Sequence, residues 1–586
     1  MALLGEMRRR NIFKVSLAYA IVSWLIVQIA DILLPTFNVP QWIMQALVLV
    51  LILLFPIAVL LSWAYELTPQ GFKPTADVDR TQSITIQTGR RLNYAVTLLL
   101  SVAVVFLVLD NYVFREEVVP DPDVAYRQSL AVLPFQNRSA AEENAEFFAD
   151  GIHGELLNRL AQITDLRIIS RTSVMEYRDT TRNLVEIGEQ LGVGSILEGA
   201  VQRAGDEVRI NVQLVDARTD EPIWADSFDR ELNVENLFAI QSEIATAIAD
   251  ALEANLSDLE QERLENVPTR SLAALEHYFF GQRLLGERTA ESLRRAIREF
   301  EAAVSTDPDF AAAWAGIAEA WLELPTYAAD ADTSDTRRHA SSAVIRALSL
   351  DPASPDVLAV VGWYLLLHDF DWAGAERAFR QALSINSTHV NALHWYSHLL
   401  SWQGKSDDAI TSARLAVSAD PLSILARTNL NYVLIDARRW DEAVPMIDSI
   451  PDEAPYLSLQ RNNWIGFLRA RRGQEAANLL VSWAGNDGRD IEAAEALGAL
   501  IVRALDDGES VEIDSELLTM LAIRAEAAEI YAALGDADNT ILALQAASRS
   551  ASGFRSLLSM KINPSYDFVR DDPRFVELTR RVGLAD

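Results

Sequence analysis

The sequence predicts a multidomain protein made of three transmembrane helices, a compact α/β domain and an all-helical solenoid. Three long apolar runs crowd the first 115 residues. Strand-like and helix-like segments then alternate up to about residue 255, and small residues recur with a period near 34 beyond residue 260. Such a period is typical of stacked helix pairs. The predicted domains are a membrane anchor at 1–115, a linker at 116–127, the α/β domain at 128–255 and the solenoid at 260–586.

The three apolar runs predict contact with a lipid bilayer at residues 12–34, 42–63 and 92–109. The first is long enough to cross a hydrocarbon core of about 30 Å. The second has tryptophan at both edges, as interfacial aromatic belts do. The third is shorter, and if it only lies on the membrane surface, the whole C-terminal part stays in the cytoplasm.

Basic residues predict the orientation of these runs. They cluster before the first run and between the second and third, and only Arg115 directly follows the third. The side richer in Lys and Arg faces the cytoplasm. We therefore expect a multi-pass protein of the inner (plasma) membrane, with a cytoplasmic N-terminus and periplasmic C-terminal domains. The stretches RRRNIFKVSLAYAIVSWLIVQIADILLPTFNVPQWI and FPIAVLLSWAYELTPQGF resemble the membrane module of bacterial cyclase-related proteins, which implies anchoring and no activity.

Charge and cysteine content exclude several functions. The net charge is −32, and residues 1–118 hold nearly equal numbers of basic and acidic residues, so the acidity lies beyond them. A surface of this sign repels phosphates, so we expect no nucleic-acid partner. The chain has no cysteine, which removes disulfides, thiol nucleophiles and thiolate metal sites and leaves the redox compartment open.

The middle part alternates strands and helices and then ends in a meander. Strands are predicted at 129–135, 166–170, 195–202, 207–216 and 222–228, and helices at 143–163, 184–191 and 235–252. These segments, which include SLAVLPFQNRS, EFFADGIHGELLNRLAQITDLRIISRTSV and LFAIQSEIATAIADAL, resemble a TolB amino-terminal-like domain. The resemblance implies an α/β fold placed between a membrane anchor and helical repeats. Relatives with a cyclase or winged-helix output domain carry it before the membrane module, where this chain has about eleven residues, so we expect neither activity here.

Two residue groups in the α/β domain invite a catalytic interpretation, and neither supports one. Gly192, Gly194 and Gly199 lack the spacing of a dinucleotide loop and lie between a helix and a strand, the reverse of a phosphate loop, so a structural turn is favoured. Asp150, His153 and Glu155 share one helix without a nucleophile, which favours a solvated helix face. We expect no enzyme activity, no catalytic residue and no cofactor.

The helical part contains four related segments of two helices each. A small residue, a large one, a small one and a proline recur at fixed spacing. From one segment to the next, the last position of this pattern moves along the chain by 44, 35 and 34 residues. The matching residues are Ala296, Phe300, Ala303 and Pro308; Ala340, Ala347 and Pro352; Ala375, Phe379, Ala382 and Ser387; and Ala409, Ala416 and Pro421. This spacing resembles the tetratricopeptide repeat (TPR) family, which implies a solenoid that binds other proteins. An insertion at 326–340 is predicted to lengthen one link between helices, and NPSYDFVRDDPRFVELTRRVGL resembles a terminal cap.

The TPR resemblance places a partner-binding groove on the first helix of each pair. Its exposed positions fall four, seven, eleven and fourteen residues after the proline position, which predicts groove residues Glu319, Asp356, Trp363, Asn391, His394, His398, Thr428 and Tyr432. Such a mixed aromatic and polar surface suits an extended peptide or an amphipathic helix. His394 and His398 lie at metal-ligand spacing, but no third ligand accompanies them, so groove or core histidines are favoured and no metal site is predicted.

The sequence therefore predicts a membrane-anchored scaffold or sensor that captures a protein or peptide partner on its TPR groove outside the inner membrane. The alternative is a regulatory subunit that relays an envelope signal through its membrane helices to a separate cytoplasmic effector. A third hypothesis, an enzyme in the α/β domain, has no motif behind it. The partner's identity stays open, and homo-oligomerisation is possible.

Overall fold

A computed structural model describes most of the chain from residue 126 onwards. The described ranges are 126–139, 145–328, 331–448, 464–486, 488–521, 527–548 and 557–584, together with Tyr65–Thr68, Gly71–Pro74 and single helical positions between 16 and 56. The chain forms two compact units, 1–120 and 121–586.

The described part of the first unit contains a small hairpin. Strands β1 (Tyr65–Thr68) and β2 (Gly71–Pro74) pair antiparallel, with Tyr65 opposite Pro74. Among the residues that the structure describes, no helix is long and apolar enough to cross a membrane. Most of the predicted spans 12–34 and 42–63, and all of 92–109, lie outside the described residues.

This finding corrects the predicted fold class and location. A crossing requires about 20 apolar residues in one helix, and no described helix meets that requirement. The prediction of three transmembrane helices is therefore wrong for the described structure, as is that of a multi-pass inner-membrane protein with periplasmic C-terminal domains. The described chain is mostly helical, with a two-stranded hairpin and one six-stranded sheet.

The second unit begins with a mixed six-stranded sheet. Its strands are β3 (Ser129–Val132), β4 (Gln136–Asn137), β5 (Arg167–Ile168), β6 (Ser195–Ala204), β7 (Glu207–Asp216) and β8 (Glu221–Glu231). The order is β5-β3-β6-β7-β8, with β4 beside β6. Strand β3 runs parallel to β5 and β6, while β6, β7 and β8 form the predicted antiparallel meander.

Helices α1 (Ala145–Leu160), α2 (Arg171–Met175), α3 (Leu184–Leu191), α4 (Val234–Ala251) and α5 (Asp258–Leu264) accompany this sheet. Asn183 caps α3 by accepting a hydrogen bond from the Glu186 amide, and α3 ends at Gly192, whose φ of 65° is left-handed. The prediction of a structural turn at Gly192 is thereby confirmed. We call residues 126–264 the sheet region.

The rest of the unit, residues 271–584, is a series of helices that we call the helical array. Its first helices contact each other in consecutive pairs: α6 (Leu272–Gly286) with α7 (Ala290–Thr306), α8 (Ala311–Tyr327) with α9 (Thr333–Leu350), α10 (Pro355–Tyr364) with α11 (Trp372–Ile385), and α12 (Val390–Trp402) with α13 (Ser406–Ala419). A π-helical turn, Leu365–Asp369, ends α10. Further along lie α14 (Ile424–Asp436), α15 (Trp440–Asp448), helical residues 464–469, α16 (Gly473–Asn486), α17 (Ile491–Leu505), α18 (Ser515–Met520), α19 (Ala527–Ala533), α20 (Ala537–Ala547) and α21 (Pro573–Arg581).

The recurring small and large residues are packing residues, as predicted. Phe300 of α7 and Phe379 of α11 are fully buried. Phe300 lies against Gly281 and Gly316, where an added Cβ would come within 2.6 and 2.7 Å of its ring. Phe379 meets Gly362 in the same way, at 2.7 Å. The predicted long link is short, because most of the inserted residues extend α8 and α9 and only 328–332 connect them.

One apolar core runs through the sheet region and into the array. The sheet supplies Leu130, Ile196 and Leu214 to it, and α4 supplies Phe238. A smaller cluster holds the C-terminal segment around Tyr566 and Phe575. Because the main cluster includes both regions, their relative placement depends on packing as well as on the chain connection.

Candidate functional site: the inner face of the helical array

The predicted groove positions lie on the first helices of successive pairs, α8, α10, α12 and α14. We call this surface the inner face. Asn391 Nδ2 donates to Glu319 Oε1 at 2.8 Å, and the Trp363 ring stacks on the His398 ring with centroids 6.4 Å apart. Tyr432 lies 5.6 Å from the Arg469 guanidinium. The structure thus brings predicted positions of α8, α10 and α12 into contact, whereas the contact of Tyr432 on α14 is with a residue outside the predicted set.

The chain itself covers half of these positions. Trp363, His394, His398 and Thr428 have exposed fractions of 2–6 %. Glu319, Asp356, Asn391 and Tyr432 keep partial exposure. A partner that approaches the structure as it stands therefore reaches only the second set, and the assignment of all eight as partner contacts stays a prediction.

The buried positions form an aromatic and histidine stack. The rings of Trp363 and Trp395 lie 5.4 Å apart and 3° from parallel. His398 stacks on Trp402 at 5.1 Å, and its Nε2 lies 3.2 Å from that of His394. No group of three His, Cys, Asp or Glu residues within the described ranges is placed to hold a metal ion. The stack is therefore a packed part of the core between α10 and α12.

Carboxylates gather where the inner face meets the sheet region. Burial raises the pKa of Glu319 to about 7; Arg288 opposes this shift, and Glu323 and Asp356 add to it. Burial likewise raises the pKa of Glu155 on α1 to about 7, with Arg159 opposing and Asp356 adding. Glu155 and the inner-face carboxylates therefore share one electrostatic environment.

Polar neighbours from several elements hold this carboxylate cluster. His389, which caps α12, lies with its Nε2 3.1 Å from Asp356 Oδ1. Arg288, between α6 and α7, pairs with Glu323 at 3.2 Å. Glu155 pairs with Arg159 one turn along α1 at 3.5 Å. The cluster is thus tied to both the sheet region and the array.

A second contact joins the two regions where α13 leads into α14. The Ser170 amide donates to the Ala419 carbonyl at 2.7 Å. Ser173 Oγ donates to Asp420 Oδ1 at 2.6 Å and accepts from the Leu422 amide at 2.9 Å. Ser173 and Asp420 are buried. Since 247 residues separate them, no local sequence pattern could have indicated this contact.

The predicted solvated face of α1 is buried instead. Asp150 is 5 % exposed and pairs with Arg178, with Arg171 at 3.8 Å and with Arg283 of α6 at 4.0 Å. His153 is fully buried, and its Nε2 lies 2.8 Å from the Val132 carbonyl oxygen. Burial lowers the pKa of His153 to about 4. Asp150 therefore links α1 to α6 of the array, and His153 is a structural group inside the sheet region.

The C-terminal segment contacts residues that follow the ends of α10 and α14. Trp372 Nε1, at the start of α11, donates to the Val582 carbonyl at 2.9 Å. Arg438, after α14, donates to Asp567 at 2.6 and 2.8 Å. The sheet region contacts the start of α14 and the C-terminal segment contacts the residue after its end, so the inner face lies between two intramolecular contacts.

Together the fold and the site define a mostly helical protein whose sheet region contacts α6 and the connection between α13 and α14 of its own helical array. Residues 126–247 match the family model described as HilA/YgeH-like transcriptional regulator, second domain. Putative adenylate cyclase 3 of Rhizobium meliloti is 34% identical over 198 residues, which is 34% of this chain and 33% of that protein. Transcriptional regulator HilA of Salmonella typhimurium is 20% identical over 405 residues, which is 67% of this chain and 69% of HilA.

These matches show that the chain is related to a putative adenylate cyclase and to HilA-like regulators. The chain spans a third of the length of the cyclase relative and about two thirds of that of HilA. Among solved structures, lipoprotein GNA1162 from Neisseria meningitidis matches 21% of this chain and 97% of its own chain at 18% identity. The TM-score is 0.18, which is too low to support a conclusion about the fold.

Proposed function

We propose that the protein is a non-catalytic regulatory scaffold that binds a protein or peptide partner on the inner face of its helical array. The relatives include named regulators, and the partly exposed inner-face residues from three helices lie close together. The contact between Asn391 and Glu319 carries this proposal, because it joins predicted groove positions 72 residues apart.

The helical pairs support a TPR assignment in particular. The last two steps of the sequence pattern, 35 and 34 residues, match the TPR period. The first and third pairs each have a buried Phe on the second helix that faces a glycine, Phe300 with Gly316 and Phe379 with Gly362. We also propose that the sheet region is a TolB amino-terminal-like domain, on the basis of its order of strands and helices. The division into 128–255 and 260–586 belongs to the same proposal.

The accessible chemistry favours a partner segment with both basic and polar groups. Asp356 and Glu319 supply carboxylates, Asn391 supplies an amide, and Tyr432 supplies an aromatic ring. A basic extended peptide or one basic face of an amphipathic helix complements this set. The relatives named as a transcriptional regulator and a putative adenylate cyclase suggest that the partner acts in regulation.

Partner capture by the full chain tests the proposal. The captured protein is purified and titrated against wild type, Asp356→Ala and Asn391→Ala, because Trp363 is buried and its truncation would damage the core. We expect each inner-face variant to raise the Kd about tenfold, the effect of a loss near 1.4 kcal/mol. Arg377→Ala, on the exposed side of α11, serves as the matched control. Equal affinities for all three variants would place binding elsewhere.

A further inference from the structure

We propose that the free edge of strand β8 is a self-association surface, at which two copies of this chain pair their β8 strands antiparallel. The occupant of the edge is a second copy of the chain, and Asp226 of each copy pairs with Arg230 of the other. Such a dimer carries two helical arrays in one assembly. The inference goes beyond the proposed function, because it concerns the sheet region and uses no inner-face residue.

Strand β8 is a long and exposed edge of the six-stranded sheet. The order β5-β3-β6-β7-β8 leaves it paired with β7 alone among the strands that the structure describes. It spans 11 residues, Glu221–Glu231, and Phe228 is the one buried residue among them. The opposite edge strand, β5, has two residues and lies against the array, where Arg167 donates to the Ser418 carbonyl at 3.2 Å. Of the two edges, β8 is therefore the one that can accept another strand along its length.

Hydrogen bonds show which main-chain groups of β8 point away from β7. The Ser227 amide donates to the Asp226 carboxylate at 2.7 Å. The Asp229 carbonyl accepts from the Arg230 guanidinium at 3.0 Å. Pairing with β7 is unbroken over 225–231, and the amide and carbonyl of one residue in an antiparallel strand face the same neighbour. The odd-numbered residues of this stretch therefore direct their main-chain groups to the free edge.

Asp226 and Arg230 cover this edge in the single chain. Both residues are exposed, and each bonds a main-chain group that a second strand would need. The Arg230 guanidinium also lies 3.5 Å from the carboxylate of Glu243 on α4. Charged side chains on an edge strand oppose unspecific pairing. The edge therefore selects a strand whose charges complement its own.

A second copy of the chain provides this complement in one antiparallel register. When Phe228 lies opposite its own copy, Asp226 of each chain lies opposite Arg230 of the other, and the two-fold symmetry forms the ion pair twice. Both residues occupy non-hydrogen-bonded positions, where opposite side chains are closest. The same register joins the outward main-chain groups of 225–231 by about eight hydrogen bonds, within the range of about 5–15 that protein interfaces contain.

Neighbouring registers are less favourable because of the charges that they bring together. A register centred on Asp226 or on Asp229 places that carboxylate opposite its own copy, which is destabilising. A register centred on Ser227 places Asp226 opposite the apolar ring of Phe228 and loses the ion pair. The charge pattern of β8 therefore specifies the register centred on Phe228.

Charge exchange tests this pairing on the full chain. Sedimentation velocity gives the dimer dissociation constants of wild type, Asp226→Arg, Arg230→Asp and the double variant Asp226→Arg/Arg230→Asp, and circular dichroism checks that each is folded. We expect each single reversal to weaken the dimer by about tenfold or more, because it places like charges opposite each other. The double variant should return to within about threefold of wild type, because it restores both ion pairs. Gln213→Arg, on the exposed face of β7, should match wild type.

Disulfide formation tests the register itself. The chain has no cysteine, so an Asp226→Cys chain and an Arg230→Cys chain each carry a single thiol. On oxidation, a mixture of the two should form a linked dimer about ten times faster than either chain alone, because only the mixture places two thiols opposite each other.

Four results would overturn the β8 pairing. They are a monomeric wild type, equal dissociation constants for wild type and the single reversals, no recovery in a folded double variant, and equal linking rates for the mixture and the separate chains. No partner enters either experiment, so their failure leaves the binding proposal untouched, and a failed partner titration leaves the β8 pairing untouched.

Discussion

Asn391 on α12 donates a hydrogen bond to Glu319 on α8, with α10 between them in sequence. The bond shows that inner-face side chains of α8 and α12 reach each other. Partner binding at one helix would therefore alter the environment of the others. The charge of Asp356 acts on Glu319 and also on Glu155 of the sheet region.

Gly316→Ala should destabilise the array, although alanine is the better helix former. The new Cβ would lie 2.7 Å from the Phe300 ring, which is fully buried and cannot move away. We expect a loss of about 1–3 kcal/mol in the free energy of unfolding by urea, followed by circular dichroism.

Gly286→Ala is the matched control for this change. It lies at the end of the neighbouring helix α6, with no atom within 4 Å of its Cβ position. Alanine there should be neutral or stabilising by up to about 1 kcal/mol. If both variants were equally stable, close packing at Gly316 would not limit the array.

His153 should make the unfolding free energy depend on pH. Its pKa is about 4 in the folded chain, against an ordinary value of 6.5, because burial disfavours the charged ring. The unfolded chain therefore binds the proton first, and stability is lost as pH falls from about 6.5 to about 4. The loss approaches about 3 kcal/mol.

His153→Gln keeps a donor for the Val132 carbonyl without a titrating group. Urea unfolding at pH 7 and pH 4.5 should therefore show a smaller difference for this variant than for wild type. His277→Gln, at an imidazole that is 44% exposed, controls for the loss of a histidine outside the core. The same pH dependence in all three proteins would assign the effect to other groups.

The elements that sequence reasoning located correctly are those fixed by local rules. Helix α3 was predicted at 184–191 and lies there, because Asn183 and Gly192 define its ends. Phe300 and Ala303 were predicted as packing residues and are fully buried, because helix periodicity alone decides which side faces the partner helix.

The contacts between distant segments could not be predicted in this way. Glu155 was assigned to a solvated face, since nothing near it in sequence reveals that the array covers α1. The contact between Ser173 and Asp420 depends on how two regions pack. The burial of His394 and His398 has the same origin, because it depends on how α10 packs against α12.

Trp372→Phe should release the C-terminal segment from the array. It removes the donor to the Val582 carbonyl, a 2.9 Å bond between residues 210 apart, and leaves an aromatic ring in place. A bond of this kind contributes about 1 kcal/mol. We therefore expect about fivefold faster backbone hydrogen exchange in 573–584, measured by mass spectrometry.

Trp314→Phe is the control for that experiment. Its indole nitrogen donates to the Pro308 carbonyl at the same distance of 2.9 Å, but only six residues away. Its loss should leave exchange in 573–584 at the wild-type rate. Acceleration by both variants would indicate a general loss of stability rather than release of the segment.

Arg469→Met should be the most destabilising of these changes. The guanidinium donates to both oxygens of Glu529 at 2.7 Å and to Asp436 at 2.7 Å, and all three side chains are buried. Burial raises the pKa of Asp436 to about 6 even with the arginine present. Without it, two carboxylates remain buried without compensation, at a cost of about 3–5 kcal/mol.

Arg503→Met separates the effect of burial from the loss of an ion pair. Arg503 pairs with Glu509 at 2.7 Å, but both side chains are about half exposed, so we expect a change below about 1 kcal/mol in the same urea titration. Asp436→Asn in the Arg469→Met background should recover part of the lost free energy of unfolding, because it removes one buried carboxylate that has no compensating charge. If the double variant were no more stable than Arg469→Met, the arginine would act through its packing against Tyr432 rather than through charge.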